Sequence, residues 1–297
     1  MTGDVGRIGI WASSGLWEHG GKLSQDGVDA AAELEALGYG TVWLGRADGN
    51  LKLAEALLDA TSRLVVGTSI VNIWMYDPSL VAASYRRVSE RHGERLLVGL
   101  GVGHAPAVEA TGQQYVQPLR VMQNYLDELD ASERGIPQDA RALAALGPRM
   151  LQLSAQRSCG ALPYLIPPEH TRWAREVLGA GALLVAEQKV VVDADPVSAR
   201  ALARRGVTRY FRLPNYTSNL KRFGFTDEDV AGNGSDRVID AIVAWGDVDA
   251  IARRITEHLD AGADQVAIQV LTDAVNTGSG LPRDDWRKLA PVLQQLR

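Results

Sequence analysis

The 297-residue chain carries 31 basic against 36 acidic residues, a formal net charge of −5, with 46% hydrophobic and 23% charged residues. That is the balance of a globular protein with a substantial core; it offers nucleic acid no electrostatic footprint and a membrane surface no basic run. The single cysteine, Cys159, excludes an intramolecular disulfide and a cysteine-rich zinc site, and the start MTGDVGRIGIW lacks the basic and apolar regions of a signal peptide. With no apolar run of about 18 residues, the expectation is a cytoplasmic protein.

In chain order, RIGIW (7–11) reads as a short strand, and a Gly- and Ser-rich stretch leads to a helix over Gln25–Leu37. Ser24 is its N-cap, Gly38 its stop, and Val28, Ala31, Ala32, Leu34 and Leu37 share one face. TVWLG (41–45) is the second strand and 51–60 a helix. Residues 64–71 are dense in β-branched side chains, with neither a period of two nor one of 3.6, which predicts a strand covered on both faces, as in parallel sheets. It discharges Asn72, Trp74, Tyr76 and Asp77 into a loop. A helix over 79–91 and a fourth strand over 95–104, running into Gly99, Gly101 and Gly103, complete four βα units of about thirty to thirty-five residues.

The second half repeats the rhythm. A helix over 119–129 precedes a strand over 141–146, and Gly147-Pro148 opens a helix to Gln156, since proline suits the first helical turn. A strand over 160–166, a helix from Pro168 to Leu178, a strand over 183–192 and a helix over 196–205 follow. The span 206–246 is too long for a simple connection and reads as an inserted helical excursion. A helix over 247–261, an eighth strand over 264–271 and a last helix from Arg283 close the chain. Eight strands alternating with helices, without a break in composition, predict an α/β fold: one (β/α)8 TIM barrel domain over 1–297, carrying the 206–246 insertion after strand 7. A doubly wound open sheet is the structural rival.

A barrel places its ligand at the C-terminal ends of its strands. There the chain puts Trp11, Ser13 and Ser14; Gly45 and Arg46; Ile70, Asn72 and Trp74; Gly101, Gly103 and His104; Gly147 and Arg149; Pro163 and Tyr164. Glu187, Gln188 and Lys189 lie within the seventh strand, where only some can point inward. Neither an HxH nor a carboxylate cluster stands at a strand end, so no metal site is expected. The glycines let backbone approach a planar ring, and Gly147-Pro148-Arg149 puts helix N-terminal amides and a guanidinium where a phosphate would be held. These features favour a flat anionic cofactor. Each also has a structural alternative: the glycines as a tight strand-to-loop passage, Trp11 and Trp74 as core aromatics, Arg46 and Arg149 as surface charges.

The stretches GTSIVNIWMYDP, RLLVGLGVGH, ALGPRM and AWGDVDAIARRITEHLDAGADQVAIQVL resemble the bacterial luciferase-like superfamily, in particular its actinobacterial coenzyme F420-dependent oxidoreductases. The resemblance implies a (β/α)8 barrel, a small-molecule substrate, a homodimer, and F420 as cofactor with FMN as the alternative. It implies a non-proline cis peptide at Ser69-Ile70 behind the deazaflavin ring. It further places Asn72 and the backbone of Gly101, Val102 and Gly103 along the cofactor, and Ala145, Leu146, Gly147 and Arg149 at its phosphate-bearing arm. Relatives that oxidise alcohols carry a histidine after the second strand and a glutamate where this chain has His104; here the former segment is LGRADG. Arginine stays protonated and cannot act as a base. His104 is therefore expected to give or take the proton and Arg46 to stabilise anionic charge, with Trp11 and Trp74 on the substrate side. The functional expectation is hydride exchange between F420 and a small organic substrate. The alternatives are an FMN-dependent luciferase-like monooxygenase and a cofactor-binding protein without catalysis.

Overall fold

A computed structural model describes residues 4–296. Eight parallel strands form the barrel: β1 (Ile8–Ser13), β2 (Thr41–Gly45), β3 (Val65–Thr68), β4 (Leu96–Gly101), β5 (Arg141–Leu143), β6 (Gly160–Ala161), β7 (Leu183–Val192) and β8 (Gln265–Val270). Each pairs with the next in sequence. β8 returns to β1 in the register Ile8↔Val266, which closes the eight strands into a barrel.

The predicted helix Gln25–Leu37 stands with its caps: Ser24 accepts from the Gly27 N–H, and Gly38 adopts a left-handed conformation. Six other helices, Pro78–His92, Pro118–Ala131, Pro148–Arg157, Pro168–Leu178, Pro196–Val207 and Pro214–Arg222, open on proline. Proline there has its φ preset and forgoes an N–H that would have no helical partner.

The inside of the barrel is packed by Trp11, Trp43, Leu97, Ala142, Leu162, Val185 and Ala267. Two tryptophans fit because neighbouring strands supply glycine beside them. A Cβ on Gly45 would stand 2.2 Å from the Trp11 ring, and one on Gly67 would stand 2.3 Å from the Trp43 ring. A second apolar layer, including Ile10, Val42, Leu44, Val66, Val98 and Ile268, joins the outside of the strands to the helices.

Four strands depart from their expected form, the fourth ending at Gly101 rather than at His104. The third, read as one run over 64–71, breaks at Ser69-Ile70 and resumes as Val71–Asn72, paired with Leu100–Gly101 of β4. The fifth and sixth are shorter than 141–146 and 160–166. Pro163 has no N–H for the ladder, and Leu165 with φ +58° turns the chain away.

Beyond β7 the chain builds helices Pro214–Arg222 and Asp236–Ile242. It then adds the strand Val243–Gly246, where the sequence predicts only a helical excursion, paired in parallel with Lys189–Val192 of β7. β6 ends so early that the outer half of that β7 edge is free to take another strand. This region has an apolar cluster that includes Tyr210, Phe211, Tyr216, Leu220, Phe225 and Ile239, packed on Val191 and Leu271. Among the described residues no helix is long and apolar enough to cross a membrane.

Candidate active site

The break in the third strand sets the geometry of the mouth. The Ser69 N–H donates to the Leu44 carbonyl at 2.8 Å, the Ile70 carbonyl accepts from the Ala47 N–H at 3.2 Å, and the Ser69-Ile70 peptide between them is cis. The Ile70 side chain then lies across Gly101, where a Cβ would come within 2.6 Å of Ile70 Cγ1. Asn72 folds back, its side-chain oxygen accepting from the Trp74 N–H at 3.1 Å, and Gly103 passes beneath its amide with φ +60°. Ser69, Ile70, Asn72, Val102 and Gly103 are all half-buried, forming one strip of partly open backbone at the ends of the third and fourth strands.

On the neighbouring fifth strand end, Ala145 is buried while Leu146 and Gly147 are half-buried. The helix Pro148–Arg157 starts there without a side-chain cap, a Cβ on Gly147 would meet open space, and Arg149 is exposed. The Leu146 carbonyl is held from behind by His170 Nε2 at 3.0 Å.

His104 stands at the end of the strip, half-buried, at the start of a short helix. Burial pushes its pKa below the ordinary histidine value, so the imidazole is neutral at neutral pH. Its ring centroid is 5.4 Å from that of Tyr216, and the Tyr216 hydroxyl is 3.5 Å from Nε2. Trp74, half-buried, lies 5.7 Å from Tyr115, whose hydroxyl donates to the Gly103 carbonyl at 3.4 Å. Arg46 is exposed with φ +58°, next to the Ala47 that bonds the Ile70 carbonyl. Trp11 is placed differently: it is buried in the barrel interior, 5.3 Å from Tyr164. The fold thus gathers Ser69, Ile70, Asn72, Gly101, Val102, Gly103 and His104, sets Ala145–Arg149 beside them, and keeps Trp11 in the core.

A polar cluster over strands 6 to 8 joins Tyr164, Glu187 and Lys189, which the sequence sets at a strand end or within the seventh strand, to Tyr210 from the excursion. Lys189 Nζ and Glu187 Oε1 pair at 2.8 Å, and the two side chains are 0% and 4% exposed. Glu187 also accepts from the Leu165 N–H at 3.0 Å, and Lys189 sits 3.7 Å above the Tyr164 ring. The Tyr164 hydroxyl donates to Gln269 Oε1 at 2.9 Å, which leaves its oxygen to accept from Tyr210 at 2.8 Å. Desolvation first, then neighbouring hydroxyls and Glu187, raise Tyr164 and Tyr216 well above the usual phenol range, so both stay protonated. The i, i+2 spacing of Glu187 and Lys189 in an apolar strand signals that both face one way. Tyr210 and Tyr216 come from the excursion and carry no such signal.

This site fits a flat cofactor with a phosphate-bearing arm. Partly open backbone and small residues run from Ser69 to Gly103, and the uncapped helix start with Gly147 and Arg149 lies one strand further on. Among the described residues four indole N–H groups are buried without a partner, and two of them, those of Trp11 and Trp74, belong to residues that the sequence puts at the strand ends.

A family model described as luciferase-like monooxygenase matches residues 7–265. The 5,10-methylenetetrahydromethanopterin reductase of Archaeoglobus fulgidus is 24% identical over 255 residues, covering 69% of this chain and 76% of that protein. Among solved structures, an F420-dependent secondary alcohol dehydrogenase in complex with an F420-acetone adduct superposes with a TM-score of 0.68 at 16% identity, covering 100% of both chains. The oxygenating constituent of 3,6-diketocamphane monooxygenase from Pseudomonas putida, in complex with FMN, superposes with a TM-score of 0.63 at 13% identity, covering 96% of this chain and 98% of that one. At these identities the structural likenesses show the barrel fold.

Proposed function

The chain belongs to the luciferase-like monooxygenase family, and on that footing we propose that it is an oxidoreductase that uses coenzyme F420 to exchange a hydride with a small organic substrate. The observation that carries this reading is the continuous strip from the strand break at Ser69-Ile70 over Gly101 to the uncapped helix at Gly147. The reductase and the F420-dependent dehydrogenase among the similar proteins support it. The FMN-bound monooxygenase with the same fold is the observation behind the rival reading, oxygen chemistry on FMN.

F420, when bound, supplies a two-electron hydride carrier. The chain supplies orientation and electrostatics. Ser69, Ile70, Asn72, Gly101, Val102 and Gly103 would support the ring. Ala145, Leu146, Gly147 and Arg149 would hold the phosphate, through helix N-terminal amides and a charge-assisted guanidinium contact. His104, neutral and half-buried, would donate a hydrogen bond to the substrate through one ring nitrogen or accept a proton from it through the other. Arg46, always charged, would stabilise negative charge on a substrate oxygen. Trp74 would line the substrate side, with Trp11 supporting the pocket floor.

Anaerobic mixing of the enzyme with reduced F420 and a panel of small ketones, enones and imines tests this reading. Recovery of the oxidised deazaflavin absorbance is expected, slowed by about 10²-fold or more in His104→Ala. Oxygen consumption with reduced FMN, and no oxidation of reduced F420 by any panel member, would transfer the assignment to the rival.

A further inference from the structure

The helix Pro214–Arg222 lies outside the eight βα units, yet it sets one side chain against the site. Tyr216 is 6% exposed, and its ring is wedged against Tyr210 at 5.2 Å and Tyr164 at 6.2 Å. Its hydroxyl has His104 Nε2, at 3.5 Å, as its one partner among the described residues. The phenol is protonated, and a neutral imidazole has one nitrogen that donates and one that accepts. If Nε2 carried the proton, the buried Tyr216 O–H would have no acceptor. If the proton is on Nδ1, the phenol donates to Nε2 and both groups are satisfied, the less costly arrangement. His104 is half-buried, and no hydrogen bond joins its Nδ1 to a described residue.

We propose that Tyr216 is a positioning residue that holds His104 in the Nδ1–H tautomer and so presents a fixed hydrogen-bond donor at the barrel mouth. On the reading given above, that donor selects a substrate whose reacting carbon bears a carbonyl oxygen. The oxygen accepts from Nδ1–H, with Arg46 as the second source of positive potential. As the hydride carried by reduced F420 adds to the carbonyl carbon, the C–O π pair moves onto the oxygen, which takes its proton from water at the barrel mouth while Nδ1–H stays a hydrogen-bond donor, so carbonyl reduction is the favoured direction. An alcohol would require a base at that point, and an imidazole whose basic nitrogen is already occupied by a phenol is poorly placed to be one.

The test is nitrogen-15 NMR of the full chain labelled at histidine. With 5 histidines in the chain, the His104 signals are assigned by difference from His104→Gln. In the wild type, Nδ1 is expected at the protonated-nitrogen shift and Nε2 at the unprotonated one. Tyr216→Phe keeps the ring packing and removes only the hydroxyl, and is expected to move His104 toward the Nε2–H form. In turnover with reduced F420 and a reactive ketone, the same variant is expected to lose about tenfold in kcat with KM within about twofold, as for an interaction made chiefly in the transition state. A wild-type His104 protonated on Nε2, or a tautomer unchanged by Tyr216→Phe, overturns the proposal. The predicted tautomers without any oxidation of reduced F420 would uphold the positioning role and count against the F420 assignment alone.

Discussion

Glu187 and Lys189 are the residues for which the fold does most. Sealed from water, the two charges offset each other at 2.8 Å, with the Leu165 N–H on Glu187 and the Tyr164 ring under Lys189 in support. Removing one partner of such a pair leaves an uncompensated charge, whereas replacing both is far milder. Lys189→Met alone is expected to destabilise the protein by about 3 kcal/mol in urea unfolding, and the double change with Glu187→Gln to recover much of that loss. Equal losses in the single and double variants would contradict a coupled pair. Gly101 makes a second prediction at this scale. Gly101→Ala drives a methyl into Ile70 and is expected to weaken F420 binding by about tenfold or more while leaving the fold intact. Unchanged affinity would remove Ile70 from the ring support. From sequence, glycines at strand ends could be read as places of close approach. What approaches them could not: that Gly45 makes room for Trp11 and Gly67 for Trp43 depends on strand register.

At the scale of elements, local signals decided most of the helices. Ser24 and Gly38 bound the first helix as caps, and Asp247 caps Val248–Asp260 by accepting from the Ala250 N–H at 2.8 Å. Asp247→Ala is expected to cost about 1 kcal/mol, read as a small fall in Tm; no change would mean the cap is idle. Strands were legible by their apolar runs but not by their ends. A run such as residues 160–166 continues past the point where Pro163 and the positive φ of Leu165 end the pairing. The strand Val243–Gly246 was hidden for the opposite reason, being four residues whose partner edge exists only because β6 is short.

At the scale of the molecule, the barrel was legible because βα alternation is periodic along the chain. The substrate side was not, because Tyr216 meets His104 across 112 positions. Buried histidines give the whole molecule an acid sensitivity. Desolvation, with Arg254 nearby, holds His258 down to about 3, where it bridges Thr171 and Gln188; desolvation holds His170 to about 4. Unfolded histidines titrate near pH 6.5, so below that value the unfolded chain binds more protons than the folded one. Stability is therefore full above about pH 6.5 and falls toward pH 4 by about 1.4 kcal/mol per pH unit for each such histidine. Urea unfolding at pH 7 and pH 5 should show that fall, and a pH-independent stability would refute it. Calorimetric titration of the purified protein with F420 and with FMN decides whether the strip from Ser69 to Arg149 takes the deazaflavin. Saturable binding of F420 is expected, with FMN at least about a hundredfold weaker, a gap of about 2.7 kcal/mol; tight FMN binding without F420 binding would overturn the assignment.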